Sequence, residues 1–146
     1  DGVILPNLKM AGPQEACGFL DKNGRCSIHA HRPGICRLFP LGRYYEDGGF
    51  KYFLQTHECK KENRTKVKVK KWIDTPNLKQ YESFVSDWHY FLNKMEERAN
   101  ESDEATAKQV SMFLLQTFYI KPYDRSADFY SQYEERRAQA KMIFHV

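Results

Sequence analysis

The sequence has no cysteine after Cys59 and no glycine after Gly49, so its two halves differ in composition. It also lacks an apolar run of the roughly 20 residues that a membrane-spanning helix needs, and we find no secretory signal in it. No glycine-rich loop of the kind that binds dinucleotides or methyl donors is present. These absences argue against a membrane-spanning protein and against a nucleotide-dependent enzyme.

The composition favours a folded chain. With 146 residues, of which 41% are hydrophobic and 14% aromatic, the chain is long enough for one domain, or for one small domain with an appendage. The net charge of +4 is mild, and much of the excess lies in a basic run between residues 60 and 71. We interpret this run as a solvated surface and expect no nucleic-acid partner, because a net charge of this kind promotes only non-specific binding.

The first half is rich in turns. Proline and glycine are frequent before residue 50, which predicts short strands rather than long helices. One hairpin is predicted around the turn at 21–24 and a second around the turn at 46–49. A strand is predicted over residues 3–10. Pro6 has no backbone N–H to donate to a ladder, so this strand is expected at the edge of a sheet. Residues 65–71, where valines and lysines alternate, fit either a strand or the start of a helix.

The second half predicts about three amphipathic helices, since apolar residues recur there at steps of three and four. The first is predicted from Thr75-Pro76 to about Asn100, the second from a cap at Ser102 or Asp103 to before Pro122, and the third from Ser126 or Asp128 onward. The centre of the third, residues 134–137, is predicted to face solvent. We interpret Trp88, His89 and Tyr90 as core residues rather than as a site.

Together these patterns predict an α+β fold. A small, turn-rich, cysteine-bearing part with short strands and hairpins occupies residues 1–73. About three α-helices occupy residues 74–146 and pack on it, which gives one compact unit.

The four cysteines admit three interpretations. Their spacing is C-x8-C-x9-C-x22-C, which differs from the C-x2-C pattern of zinc ribbons. Disulfides are little needed in a chain that can build a core of this size. Unlinked core cysteines would be expected on helix faces as well, whereas all four lie in turn-rich segments. Metal ligation by thiolates remains, with nearby histidines as substitute ligands: His29, His31 and His57.

Short sequence motifs surround the first three of these cysteines. The motifs are Cys17 followed by Phe19-Leu20, then Gly24-Arg25-Cys26-Ser27-Ile28, then Arg32-Pro33-Gly34-Ile35-Cys36-Arg37-Leu38-Phe39-Pro40. They resemble the second half of the YkgJ-type cysteine-cluster family, whose members are described as putative zinc- or iron-chelating proteins. Cys59 fits a later cysteine of that family, and residues 69–72 fit the segment that leads into its helices. The resemblance covers about residues 1–95.

Two features depart from the family pattern. His29 stands where the family usually has tyrosine, and the upstream CxxCxxCC-like cluster that defines the family is absent. We expect that cluster to lie on a segment preceding Asp1. The four cysteines would then be part of a larger ligand set, and a chain with this half alone would hold little or no metal.

The resemblance implies a cytoplasmic metal-binding protein whose ligands are Cys17, Cys26, Cys36 and Cys59. An iron–sulfur cluster is favoured over zinc because the complete family pattern has more cysteines than one zinc ion can use. The resemblance also implies that three further side chains support the ligands by holding the loops and tuning charge: Arg32, Arg37 and His29.

Two other functions fit the same sequence. The first is an iron–sulfur enzyme that modifies proteins, because flagellin lysine methylases carry a related cysteine cluster. Its acid–base candidates, by residue type only, are Glu46, Asp47 and His57. The second is an interaction module without catalysis, in which the metal staples a small domain and the aromatic helices bind an unidentified protein partner.

Overall fold

The computed structural model describes residues 3–13, 15–58 and 65–146. Within these ranges the chain forms two small antiparallel hairpins and five α-helices, which confirms the predicted α+β class. The strands are β1 (Met10–Ala11), β2 (Ala16–Cys17), β3 (Leu41–Glu46) and β4 (Gly49–Leu54). The helices are α1 (Gly34–Leu38), α2 (Val69–Ile73), α3 (Leu78–Asn100), α4 (Glu104–Leu114) and α5 (Phe129–Phe144). A 3₁₀ turn covers His29–His31, and a π-helical segment, Leu115–Ile120, follows α4.

Packing divides the chain into two compact units. Leu8–Ser86 forms one, here called the hairpin unit, and Asp87–Val146 with the N-terminal residues up to Asn7 forms the other, here called the helical unit. The predicted domains, residues 1–73 and 74–146, stay a prediction. No helix in the described ranges has both the length and the apolar character needed to cross a membrane.

The hairpin of β3 and β4 forms as predicted. Glu46 pairs with Gly49, so the two-residue turn consists of Asp47 and Gly48. Both have positive φ, 50° and 74°, which is the type I′ geometry that Asp-Gly favours because it matches the twist of the strands. Across the ladder, the ring of Phe53 covers Gly42 so closely that a Cβ at residue 42 would collide with it.

The predicted strand over residues 3–10 is wrong except at its last residue. Residues 3–9 adopt no regular structure, and Met10 pairs with Cys17 in the short β1–β2 ladder. Pro6 lies in the middle of the predicted strand, where it lacks the N–H that a ladder requires. The undecided segment 65–71 is resolved as irregular backbone up to Lys68, followed by α2.

The core of the helical unit combines aliphatic side chains with a cluster of aromatic rings. Trp88 packs against Phe91, Phe118 and Tyr133, with ring centroids 5.7, 5.0 and 6.0 Å apart. Edge-on and tilted contacts of this kind add to the burial of apolar area. Trp88 therefore packs as predicted, although it is half-buried, as are His89 and Tyr90.

The predicted helix caps form at α4 and α5, whereas the predicted start at Thr75-Pro76 is wrong, because α3 begins at Leu78 and Asn77 Oδ1 accepts from the backbone N–H of Gln80 at 3.2 Å. Asp103 accepts a hydrogen bond from the backbone N–H of Thr106 at 2.8 Å. Asp128 accepts one from the backbone N–H of Ser131 at 2.7 Å. Each carboxylate pairs an N–H that the helix itself leaves unpaired, which fixes where the helix begins.

The expectation that residues 134–137 face solvent is wrong at Arg136, which is only 6% exposed. Its guanidinium donates hydrogen bonds to the backbone oxygens of Thr117, Lys121 and Pro122 at 2.6, 2.9 and 2.7 Å. These carbonyls lie at the end of the π-helical segment and just beyond it, where no further helical turn can pair them. The sequence shows that residue 136 is charged but not which groups it contacts, so this role of Arg136 was not predicted.

Candidate metal centre

Cys17 and Cys26 lie on one hydrogen-bonded loop. The backbone N–H of Leu20 donates to the oxygen of Cys17 at 3.1 Å, and Leu20 forms an antiparallel bridge with Cys26. The Cα atoms at the two ends of such a turn, here Cys17 and Leu20, lie less than about 7 Å apart, and those of a bridged pair, here Leu20 and Cys26, about 5 Å apart. The Cα atoms of Cys17 and Cys26 are therefore at most roughly 12 Å apart. The predicted turn at 21–24 forms, but the predicted hairpin around it is reduced to the isolated bridge between Leu20 and Cys26.

Asp21 closes the tip of this loop. Its Oδ1 accepts hydrogen bonds from the backbone N–H groups of Asn23 and Arg25 at 2.8 and 2.9 Å. The backbone of Gly24 donates to the oxygen of Asp21 at 2.9 Å and has a φ of +72°, which glycine adopts without strain. One carboxylate thus orders the segment between two candidate ligands, as aspartate does in other tight turns.

Cys36 lies in the middle of α1. Its backbone N–H donates to the oxygen of Pro33 at 3.0 Å, so the Pro33-Gly34 pair starts the helix that carries the thiol. The Arg37 side chain then links this helix to its surroundings. It donates to the oxygen of Arg32 at 3.2 Å and to the oxygen of Asp74, just beyond α2, at 2.9 Å.

The start of α1 is also packed against α3. The hydroxyl of Tyr81 lies over Gly34, where it leaves no room for a Cβ, and it accepts a hydrogen bond from Arg43 at 3.0 Å. The Arg43 guanidinium lies 5.3 Å from the ring centre of Phe50 and 5.5 Å from that of Tyr81. Cation–π contacts at such distances stabilise a partly buried charge.

The surroundings of Arg43 also shift the pKa of the neighbouring Tyr52. Burial and the nearby Glu82 carboxylate raise the pKa of Tyr52 from its ordinary 10.0 to about 12, although Arg43 acts in the opposite direction. Burial alone would lower the pKa of Arg43, but the neighbouring tyrosines, Tyr81 above all, together outweigh it and the pKa of Arg43 is raised. Tyr52 therefore stays neutral and Arg43 charged at physiological pH.

The predicted supporting residues have different surroundings. Arg37 holds backbone oxygens, as described above. Arg32 is half-buried, and its Nε–H has no hydrogen-bond partner within the described ranges. His29 and His31 form the exposed 3₁₀ turn, and His57 is exposed as well.

The cysteines themselves are accessible. Cys17, Cys26 and Cys36 are free thiols of intermediate exposure, so none of the three is a fully buried core residue. Cys59, the fourth predicted ligand, lies outside the described residues. Among the residues that the structure describes, no three or more His, Cys, Asp or Glu side chains come close enough to hold a metal ion. The four-cysteine ligand set stays a prediction.

Sequence reasoning did not identify several residues that hold the cysteine-bearing segments. Tyr81 was assigned only to an apolar helix stripe, and Arg43 to a strand. A glycine directly after Pro33 indicates that another group approaches the backbone closely there, but the sequence does not identify that group. Trp72 was likewise missed: its indole N–H donates to the oxygen of Phe39 at 3.0 Å, which ties α2 to the end of α1.

Comparison with known proteins supports the predicted resemblance. Residues 6–72 match the CxxCxxCC family, described as a putative zinc- or iron-chelating domain. The match includes Cys17, Cys26, Cys36 and Cys59, whereas the clustered motif that gives the family its name does not occur in these 146 residues. No curated protein and no solved structure matches the chain significantly.

Proposed function

We propose that residues 6–72, which match the CxxCxxCC family model, bind iron or zinc through cysteine thiolates. The proposed ligands are the four cysteines of the chain: Cys17, Cys26, Cys36 and Cys59. An iron–sulfur cluster is the favoured form of the bound metal. The match of the family to this cysteine-bearing segment is the observation that carries the proposal.

The chemistry of the donor set fits this metal class. Thiolates are soft ligands that bind zinc and iron–sulfur clusters, and the three described thiols are neither fully buried nor oxidised to disulfides. The unpaired Nε–H of Arg32 adds a second argument, because buried N–H groups need an acceptor and metal-bound sulfur is one. Arg32 would donate to the thiolate centre, and its charge would offset part of the negative charge of the ligands.

The described residues do not complete a ligand set by themselves. We therefore propose that metal binding needs Cys59 or further thiolates, and that it draws the cysteine-bearing segments together. When bound, the metal would supply either electron transfer or a structural cross-link. The residues of the chain would orient the thiolates and limit access of water to them.

The test is metal analysis of the full-length protein purified without oxygen, combined with its visible absorption spectrum. We expect stoichiometric iron with strong visible absorption, or stoichiometric zinc without it. Replacing all four cysteines with serine should remove the metal, whereas replacing Ser83 and Ser86, which lie on α3 outside the cysteine-bearing segments, by alanine should not. Equal metal content in the cysteine variant and the unaltered protein would refute the proposal.

Single variants test the ligand assignment. Each of the variants C17S, C26S, C36S and C59S should lower metal content or affinity, while His29→Ala should change it much less because this side chain is exposed. Zinc and iron–sulfur forms are distinguished by the same spectrum. A chain that holds only zinc in every preparation would disprove the iron–sulfur assignment but not metal binding itself.

A further inference from the structure

The hairpin unit has a basic segment with no compensating acid. Residues 65–73 contain four lysines and no carboxylate, and all four lysine side chains are exposed: Lys66, Lys68, Lys70 and Lys71. The formal net charge of the whole chain is also +4. This segment therefore carries as much net positive charge as the whole chain.

Exposed apolar side chains lie beside these lysines. Val67 and Trp72 belong to the same segment and are 48% and 45% exposed. Trp72 donates its indole N–H to the oxygen of Phe39, which is 48% exposed and follows α1. Ile35 precedes Phe39 by four residues on α1 and is 66% exposed. We call the exposed side chains of residues 66–72, together with Ile35 and Phe39, the lysine–tryptophan surface.

The part of this surface on α1 and α2 is fixed in place before any partner binds. Trp72 is tied to Phe39, and Arg37 donates to the oxygen of Asp74 at 2.9 Å, so α1 and α2 are joined at two points. Beneath them, Leu38 and Ile73 are buried, with 5% and 2% exposure. Side chains that are already ordered lose little entropy on binding, which makes a surface of this kind effective in recognition.

From this combination we propose that the lysine–tryptophan surface binds an acidic protein segment in which carboxylates alternate with apolar side chains. The lysines would meet the carboxylates at the rim, where charge speeds association and selects the partner. Trp72 and Phe39 would receive the apolar side chains, since tryptophan is among the residues that contribute most to binding energy at interfaces.

Other anionic partners fit the surface less well. Membrane-surface binding uses a longer amphipathic helix, whereas α2 has five residues and its Ile73 points into the core. A nucleic acid could pair its phosphates with the lysines and stack bases on Trp72. It offers no matching group for the aliphatic side chains Ile35 and Val67, which are part of the same surface.

The proposal is tested by fluorescence anisotropy with a labelled 14-residue peptide in which glutamate alternates with leucine. Two other labelled probes accompany it: a glutamate–serine peptide of equal charge and a single-stranded oligonucleotide. Vesicles with and without anionic lipid are the fourth probe. We expect the glutamate–leucine peptide to bind about tenfold more tightly than the glutamate–serine peptide, with affinity that falls as salt rises.

Variants localise the binding. Replacement of Lys66, Lys68, Lys70 and Lys71 by glutamine should weaken peptide binding about tenfold. The matched control replaces four exposed lysines elsewhere and has the same net charge: Lys9, Lys22, Lys94 and Lys108. The variant Ile35→Ser tests the apolar part of the surface and should also weaken peptide binding. The side chain of Ile35 is too exposed to be needed for folding, so the loss would reflect the contact with the peptide. Equal loss in both lysine variants, equal binding of both peptides, or tighter binding of the oligonucleotide or the anionic vesicles would overturn the proposal.

Discussion

The hydroxyl of Tyr81 lies 2.5 Å from the position that a Cβ would occupy on Gly34. The residue after Pro33 must therefore lack a side chain for α3 to pack against the start of α1. The same hydroxyl accepts a hydrogen bond from Arg43, so it cannot move aside without losing that partner. A glycine of the cysteine-bearing motif is thus explained by a packing contact.

This contact predicts that Gly34→Ala destabilises the protein by about 1–3 kcal/mol, the usual cost of overpacking. The cost should be smaller in a Tyr81→Phe background, because the nearest remaining ring atom would lie 3.4 Å from the added Cβ. Urea unfolding of the four proteins in this double-mutant cycle measures the difference. If alanine costs the same free energy in both backgrounds, the hydroxyl is not the obstacle.

Asp21 is predicted to influence metal binding without being a ligand. Asp21→Ala removes the acceptor for two backbone N–H groups in the loop between Cys17 and Cys26. If the proposed thiolate centre exists, its metal affinity should fall about tenfold, which is typical when a residue that orients a ligand is lost. Competition with a chromophoric chelator measures this affinity. Lys22→Ala, in the same loop and exposed, is the control and should leave it unchanged.

Arg136 is predicted to be the most sensitive charged residue of the helical unit. Arg136→Ala leaves three backbone oxygens without their donor and should cost about 3 kcal/mol in the free energy of unfolding. Arg136→Lys should recover only part of this, because an ammonium group cannot reach all three oxygens at once.

Arg137→Ala is the control for Arg136. Arg137 makes one ion pair with the half-exposed Glu134 and is itself 19% exposed, so its removal should cost less than the loss of three carbonyl contacts, about 1–2 kcal/mol. Urea unfolding again provides the measurement. A loss for Arg137→Ala as large as that for Arg136→Ala would show that the three carbonyl contacts are not the cause.

Tyr52 predicts a loss of stability in alkaline solution. Its pKa is about 12 in the folded protein and 10.0 ordinarily, so between these pH values the folded state retains a proton that the unfolded state has released. Stability from this group is full below pH 10 and falls as the pH rises toward 12. Unfolding midpoints measured across this range should decline less steeply for Tyr52→Phe. An identical decline in the variant would assign the effect to other tyrosines.

Local signals in the sequence were sufficient for much of the fold. Asp47-Gly48 favours positive φ at both residues, which is why the β3–β4 turn was predicted correctly. Asp103 and Asp128 can pair backbone N–H groups three residues away, so the starts of α4 and α5 followed from their positions. In each case the stabilising group and its partner lie within a few residues.

The edge strand and the solvated helix centre were mispredicted for different reasons. The strand over residues 3–10 was inferred from apolar residues although Pro6 weakens any ladder there, and only Met10 pairs. Arg136 looked like a surface residue because its neighbours are charged. Its partners are 14 to 19 residues earlier in the chain, so no local pattern contains them.

By itself, the sequence determined the class of the fold, the second hairpin, the caps of α4 and α5 and the family model that residues 6–72 match. Short-range hydrogen bonding and residue type are enough to specify these. Only the tertiary structure decided that Tyr81 packs on Gly34, that Arg37 and Trp72 join α1 to α2, and that the lysines of residues 66–71 lie beside exposed apolar side chains. Such contacts join residues that are distant in sequence, and they depend on how the backbone brings those residues together.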